Sequence, residues 1–151
     1  MFPAADWPEE AALRIPAAQA RELFLASPVA RLATADRSGV PHLVPVSFAL
    51  VTDDTDWLVF AVDHKPKSTT RLRRLANIEA NPAVCFLVDE YDNDWSRLWW
   101  VRADAQARLL DAGLRDRALA ALRDRYEPYR AQTPVGPVVG ARVTGWSGWR
   151  A

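Results

Sequence analysis

The sequence predicts a mainly β domain of the α+β class: a six-stranded antiparallel sheet closed into a small barrel, with flanking helices. Three observations predict it. Six apolar runs of strand length follow one another, most joined by short polar turns, which favours antiparallel neighbours over parallel crossovers. Three stretches with helical periodicity frame or interrupt these runs. The chain has 151 residues, half of them hydrophobic, enough for one buried core, and six strands at that length suggest closure.

Residues 1–16 are rich in Pro, Ala and acid and read as a lead-in, so the folded domain is assigned to 17–151. AAQARELFLA (17–26) places Ala17, Ala20, Leu23 and Phe24 at helical spacing, and Pro28 ends it. VARLATAD (29–36) and VPHLVPVSFAL (40–50) flank a short turn containing Gly39 and read as a hairpin. VTDDTD (51–56) is a turn, and WLVFAVD (57–63) is a strongly apolar third strand. HKPKSTTRLRRLANIEANP (64–82) is basic and helical. Ser68 or Thr69 can cap it, Leu72, Leu75 and Ala76 give its apolar stripe, and Asn81-Pro82 stops it. AVCFLVD (83–89) is the fourth strand and LWWVRADAQARLLD (98–111) a long fifth, with the loop EYDNDWSR between them. GLRDRALAALRDRYEPYRAQ (113–132) is an amphipathic helix with Leu114, Ala118 and Leu122 on one face, and VVGARVTGWSGW (138–149) is the last strand.

Composition excludes several classes. Formal net charge is zero, which argues against nucleic acid or an anionic membrane as partner. The single cysteine, Cys85, rules out a disulfide framework within the chain and reads as buried and inert. The N-terminus lacks the basic and apolar regions of a signal peptide, and no run of about 18 apolar residues exists to span a membrane. A cytoplasmic protein is therefore expected.

The sharpest local signal is His64-Lys65-Pro66-Lys67-Ser68-Thr69. The cationic residues of the chain are 17 Arg and only 2 Lys, and both lysines lie here. Cations at a helix N-terminus oppose its dipole, but a bound anion reverses that sign. Free backbone N–H groups, two hydroxyls and two ammonium groups would then converge on a phosphate. A solvated basic turn is the other reading. The glycines of a P-loop are absent.

The second signal is aromatic. Of seven tryptophans, Trp95, Trp99 and Trp100 lie in or beside the fifth strand and Trp146 and Trp149 near the C-terminus. Alternation along a strand points Trp99 and Trp100 opposite ways, one into the barrel and one outward. Core and dimer packing is the other reading for any single one. The acidic loop residues Asp89, Glu90, Asp92 and Asp94 do not match a calcium loop, and His42 and His64 are not at metal spacing, so no metal is expected. No nucleophile–base set stands out. An enzyme so poor in acids and bases would take its chemistry from a redox cofactor.

Taken together, VARLATADRSGVPHLVPVSFAL, WLVFAVDHKPKSTTRLRRLANIEANPAVCFLVDEY and LWWVRADAQARLL resemble the pyridoxamine 5′-phosphate oxidase-like, FMN-binding split-barrel superfamily. The hairpin ATAD-x-x-G-x-P-x-x-x-P-V and the basic stretch ending in Asn81-Pro82 carry the resemblance, which covers about residues 16–149. WSRLWWVRADAQA is most similar to a deazaflavin (coenzyme F-420)-dependent subgroup of actinobacterial type. The resemblance implies a six-stranded split barrel and a homodimer with two cofactor sites at the interface. It implies that Lys65, Lys67 and Ser68 hold cofactor phosphate, and that Val46, Ser47, Val62 and Asp63 line the ring. Trp100, Trp149 and Arg150 would come from the other subunit. Trp100 stands about where FMN-dependent oxidases of the superfamily carry Gln, and VTGWSGWRA lacks the Arg-rich motif of true pyridoxamine phosphate oxidases. The resemblance thus implies an oxidoreductase using coenzyme F-420 for hydride transfer to a small organic substrate. An FMN-binding oxidoreductase of the same fold, or a non-catalytic flavin-, deazaflavin- or haem-binding protein, is the alternative.

Overall fold

The computed structural model describes residues 13–62 and 72–151. Its elements are α1 (Ala17–Ala26), β1 (Ala30–Ala35), β2 (Pro41–Val46), β3 (Ala49–Thr52), β4 (Asp56–Ala61), α2 (Arg73–Ala80), β5 (Ala83–Glu90), β6 (Trp99–Leu109), α3 (Ala112–Arg125), α4 (Glu127–Ala131) and β7 (Val138–Arg150). The strands form one sheet in the order β2-β1-β5-β6-β7-β4-β3. Every pairing in it is antiparallel, as the short connections require.

There are seven strands, not six. The run 40–50, read as one strand, breaks at Ser47–Phe48. Its alternation fails there, because Phe48 and Ala49 are both buried. The backbone bonds of Phe48 also leave the ladder. Its N–H donates to Tyr126 Oη at 3.0 Å, and its carbonyl accepts from Tyr126 Oη at 2.8 Å and from Arg125 at 3.0 Å.

The break sends β2 and β3 to opposite edges of the sheet. Val46 and Ala49 are three Cα steps apart, a span of about 11 Å at most. The outer strands of a flat seven-stranded sheet would stand about 29 Å apart. The sheet must therefore curl until its edges meet at this corner, although no ladder joins β2 to β3 among the described residues.

Curling makes an inside. Phe24, Phe48, Phe60, Phe86, Leu32 and Val101 fill it, each at most 1% exposed. Phe24 of α1 is the hub, with ring centroids 4.9 Å from Phe48 and 5.3 Å from Trp146. A second, smaller core lies outside the sheet, where Ala118 and Leu122 of α3 cover Ala49, Val51 and Val59. The helix read over 113–132 is two helices, with Tyr126 extended between them (φ −121, ψ 119). Pro128 explains this: it has no N–H to continue the helix, and its ring would meet the preceding turn. α2 begins at Arg73, with Leu72 extended before it, and packs on β1, where Asn77 Nδ2 donates to Thr34 Oγ1 at 3.0 Å, both residues being buried. Among the described residues no helix is long and apolar enough to cross a membrane.

Candidate functional site

Strand alternation fixes which side chains leave the core. Val84, Phe86, Val88, Val101 and Ala103 point inward, so Cys85, Leu87, Asp89, Trp100 and Arg102 point outward. The ladder registers then align Asp89 with Trp100 and Trp100 with Trp149, and in the next row Leu87 with Arg102 and Arg102 with Ser147. These rows floor an open groove of about 410 Å³ lined chiefly by Leu87, Asp89, Tyr91, Trp100, Arg102 and Trp149.

Gly148 sets the position of Trp149. A Cβ there would meet Val101 at 2.8 Å and the Trp100 carbonyl at 3.0 Å. Without it, β7 lies close on β6 and the N-terminal segment docks alongside, the Ile15 N–H donating to the Gly148 carbonyl at 2.9 Å. Trp99 takes the other face, packs against the main core and donates its indole N–H to Glu90 at 3.0 Å.

The charges of the groove are unequally engaged. Arg102 pairs with Asp104 at 3.2 Å, and its guanidinium carbon lies 5.8 Å from the Trp100 ring centroid. Asp89 makes no hydrogen bond or ion pair among the described residues. Half-buried Cys85 lies on the same outer face, and burial, then the Asp104 carboxylate, push its thiol up from its ordinary value. It is therefore a neutral thiol and a poor nucleophile.

The residues singled out from sequence fall into two groups. Trp100 and Trp149 are cross-strand neighbours in the groove, and Arg150 is exposed beside them, opposite Trp99. Val46 ends β2 with its side chain in the core, half-buried Ser47 follows it at the strand break, and Val62 is buried just past β4 with its N–H donated to the Pro137 carbonyl. Asp63, Lys65, Lys67 and Ser68 lie outside the described residues. Within one protomer, Val46 and Val62 belong to the inner side of the curled sheet and Trp100 and Trp149 to its outer side.

Sequence reading missed Asp89 and Tyr91 as partners of the tryptophans, because only the β5–β6–β7 register brings them together. It also missed a polar cluster under α2. His42 pairs with Thr34 across the β1–β2 ladder, and Thr34 is bonded to Asn77. Arg74 lies one helical turn before Asn77. His42 Nδ1 and Arg74 Nε are both buried without a hydrogen-bond partner among the described residues. Of the tyrosines, Tyr126 is committed to the backbone of Phe48 and Pro28. Among the described residues no three His, Cys, Asp or Glu side chains stand together as a metal site.

The sequence matches the family described as pyridoxamine 5′-phosphate oxidase over residues 16–146. A search of curated proteins finds no match. Several solved structures share the fold. A conserved hypothetical protein from Mycobacterium tuberculosis is 22% identical with a TM-score of 0.68, over 91% of this chain and 86% of that one. An FAD-binding protein from Mesorhizobium loti is 21% identical with a TM-score of 0.64, over 91% and 96%. The haem-storage protein HutZ from Vibrio cholerae is 18% identical with a TM-score of 0.63, over 87% and 94%.

Proposed function

The chain belongs to the pyridoxamine 5′-phosphate oxidase family, and from that premise we propose that it is a homodimeric split-barrel oxidoreductase that holds deazaflavin coenzyme F-420, or alternatively FMN, and reduces a small organic substrate. The observation that carries this reading is the start of α2. That helix opens on Arg73 and Arg74, with no side-chain cap and no acidic residue in its first turn. A helix end with two cations and no side-chain cap among the described residues fits an anion. Arg74 Nε and His42 Nδ1, both buried without a hydrogen-bond partner among the described residues, fit the same requirement. The segment leading into this helix end is the one with Lys65, Lys67 and Ser68, which would hold the cofactor phosphate.

Two protomers are needed by this reading. A site that includes both the Val46–Ser47–Val62 corner and the Trp100–Trp149 groove takes residues from opposite faces of one sheet. A second copy supplies the missing half. The backbone at Ser47 would then orient one edge of the ring, and Trp100 and Trp149 of the other protomer would cover it and exclude water. Bound deazaflavin supplies a hydride carrier that is slow toward oxygen. No side chain of the described residues is assigned as proton donor.

The second reading is a protein that binds a flavin or haem without turnover. It is favoured by the committed hydroxyl of Tyr126 and the neutral thiol of Cys85. The FAD-binding and haem-storage proteins of the same fold make it a real competitor.

Titration of the purified protein with coenzyme F-420, FMN and haem, followed by tryptophan fluorescence, tests both readings. Tighter binding of the deazaflavin is expected. The double variant Lys65→Ala/Lys67→Ala should bind it at least about tenfold more weakly, the scale of a lost charge-assisted contact. Unchanged affinity in that variant removes the phosphate assignment. Preference for FMN moves the protein to the alternative cofactor. A loaded protein that reduces no member of an enone and quinone panel belongs to the second reading.

A further inference from the structure

We propose that residues 13–15 are a positioning strand of the cofactor site: paired along the end of β7, they hold Trp149 in the geometry that receives the ring. The inference deepens the function proposed above and rests on it for the identity of the ligand. Three observations lead to it.

The first is an uneven pair of edges. β7 is 13 residues long. β6 pairs with it from Val139 to Arg150, but β4 pairs with it only from Val138 to Arg142. Trp149 therefore lies on a stretch that the neighbouring long strands hold from one side, next to the chain terminus, where fraying is easiest. Trp149 is also only half-buried, so packing of the indole does not fix it.

The second is what fills the other edge. The Ile15 N–H donates to the Gly148 carbonyl at 2.9 Å, and the Arg150 N–H donates to the Leu13 carbonyl at 3.0 Å. These two bonds bracket Trp149, one residue before it and one after, and make Arg14 its antiparallel partner.

The third is that the strand is itself anchored. Ile15 is buried in the main core and stands so close to β7 that a Cβ on Gly148 would meet it at 3.3 Å. Pro16 follows at once and opens α1, its carbonyl accepting from the Ala20 N–H at 2.9 Å. α1 carries Phe24, the ring at the centre of the core. A short covalent run thus joins the core to the backbone on both sides of Trp149. An indole fixed before the ligand arrives costs less to order on binding, and a buried support of this kind is what a precise site requires.

Calorimetric titration of the full chain and its variants with coenzyme F-420 and with FMN tests the proposal. Ile15→Pro removes the N–H donated to Gly148, and Ile15→Val keeps it. The proline variant should bind the cofactor about three- to tenfold more weakly than the native chain, the range of one hydrogen bond, and the valine variant should bind it equally well. In a Trp149→Ala background, Ile15→Pro should cause no further loss, because its effect passes through that indole. An undiminished loss in that background assigns the strand to fold stability alone and overturns the proposal, as does native affinity in Ile15→Pro. Where Ile15→Pro does not fold, Arg14→Gly and Arg14→Thr at the neighbouring exposed position give the same test. Both lack the charge, and only glycine loosens the strand. The glycine variant should bind about two- to fivefold more weakly than the threonine one, and equal affinities overturn the proposal. If the native chain binds neither cofactor, the function proposed above falls and the strand is judged without ligand. Faster amide exchange at Arg150 and a shifted Trp149 indole NMR signal in Arg14→Gly, but not in Arg14→Thr, then sustain the positioning role, and their absence overturns it.

Discussion

Tyr126 has one phenolic proton and three backbone neighbours. Its Oη accepts from the Phe48 N–H and lies 2.8 Å from both the Phe48 and Pro28 carbonyls, so it donates to one of these at a time. Arg125, next to it, donates to the carbonyls of Phe48, Leu25 and Ser27 and lies 4.5 Å from the Phe48 ring centroid. These two side chains at the end of α3 satisfy the Phe48 backbone groups that the sheet has released at the β2–β3 break and the carbonyls at and after the end of α1. Tyr126→Phe keeps the ring and removes the hydroxyl, leaving the Phe48 N–H without its acceptor. It should cost about 1–3 kcal/mol, read as a lower urea midpoint. A midpoint that does not move would mean that the strand break is held by chain connectivity alone.

α1 lies across β6 and β7, and its charged edge reaches β4. Arg21 meets Asp56 through two parallel bonds of 2.7 and 3.2 Å, and Thr52 adds a third to the same carboxylate. The Arg21 guanidinium holds the Asp56 carboxyl below its ordinary 3.8. The folded state thus binds this proton less tightly than the unfolded chain does. The stabilisation is complete above the ordinary carboxylate range and is lost as pH falls through and below it. Arg21 is a third exposed, so the contribution is about 1 kcal/mol at most. Asp56→Asn should be less stable than the native chain by that amount at pH 7 and equal to it near pH 2. A gap that persists at pH 2 would assign the effect to packing rather than charge.

At the scale of the molecule, the outer face of β2, β1 and β5 exposes apolar surface. Leu43 is 66% and Leu87 37% exposed. The ladders align Leu43 with Ala33 and Cys85, and Pro45 with Arg31 and Leu87. This surface is continuous with the tryptophan groove through Leu87. A second copy covering it would join the two halves of the proposed cofactor site. Sedimentation equilibrium should give twice the 16.9 kDa protomer mass, and Leu43→Glu should shift the population toward monomer and weaken cofactor binding in parallel. A monomer that binds cofactor at full affinity would exclude a shared site.

Local pattern set most of the elements. The spacing of Ala20 and Phe24, the Gly39 turn with its positive φ of 82°, the Asn81-Pro82 stop and the alternation through 99–109 are short-range signals, because side-chain direction and turn conformation depend on neighbouring residues. The opposite orientations of Trp99 and Trp100 follow from the same rule. The two halves of the run 40–50 parted because Tyr126 and Arg125, remote in sequence, bind the backbone of Phe48. The groove is likewise non-local: Asp89, Trp100 and Trp149 become neighbours only through the registers of β5 on β6 and β6 on β7. The sequence by itself therefore determined most of the elements, the basic run that precedes α2 and the aromatic character of the outer face. Which side chains share a site was decided by the tertiary structure, because strand register is a property of paired segments and not of any one of them.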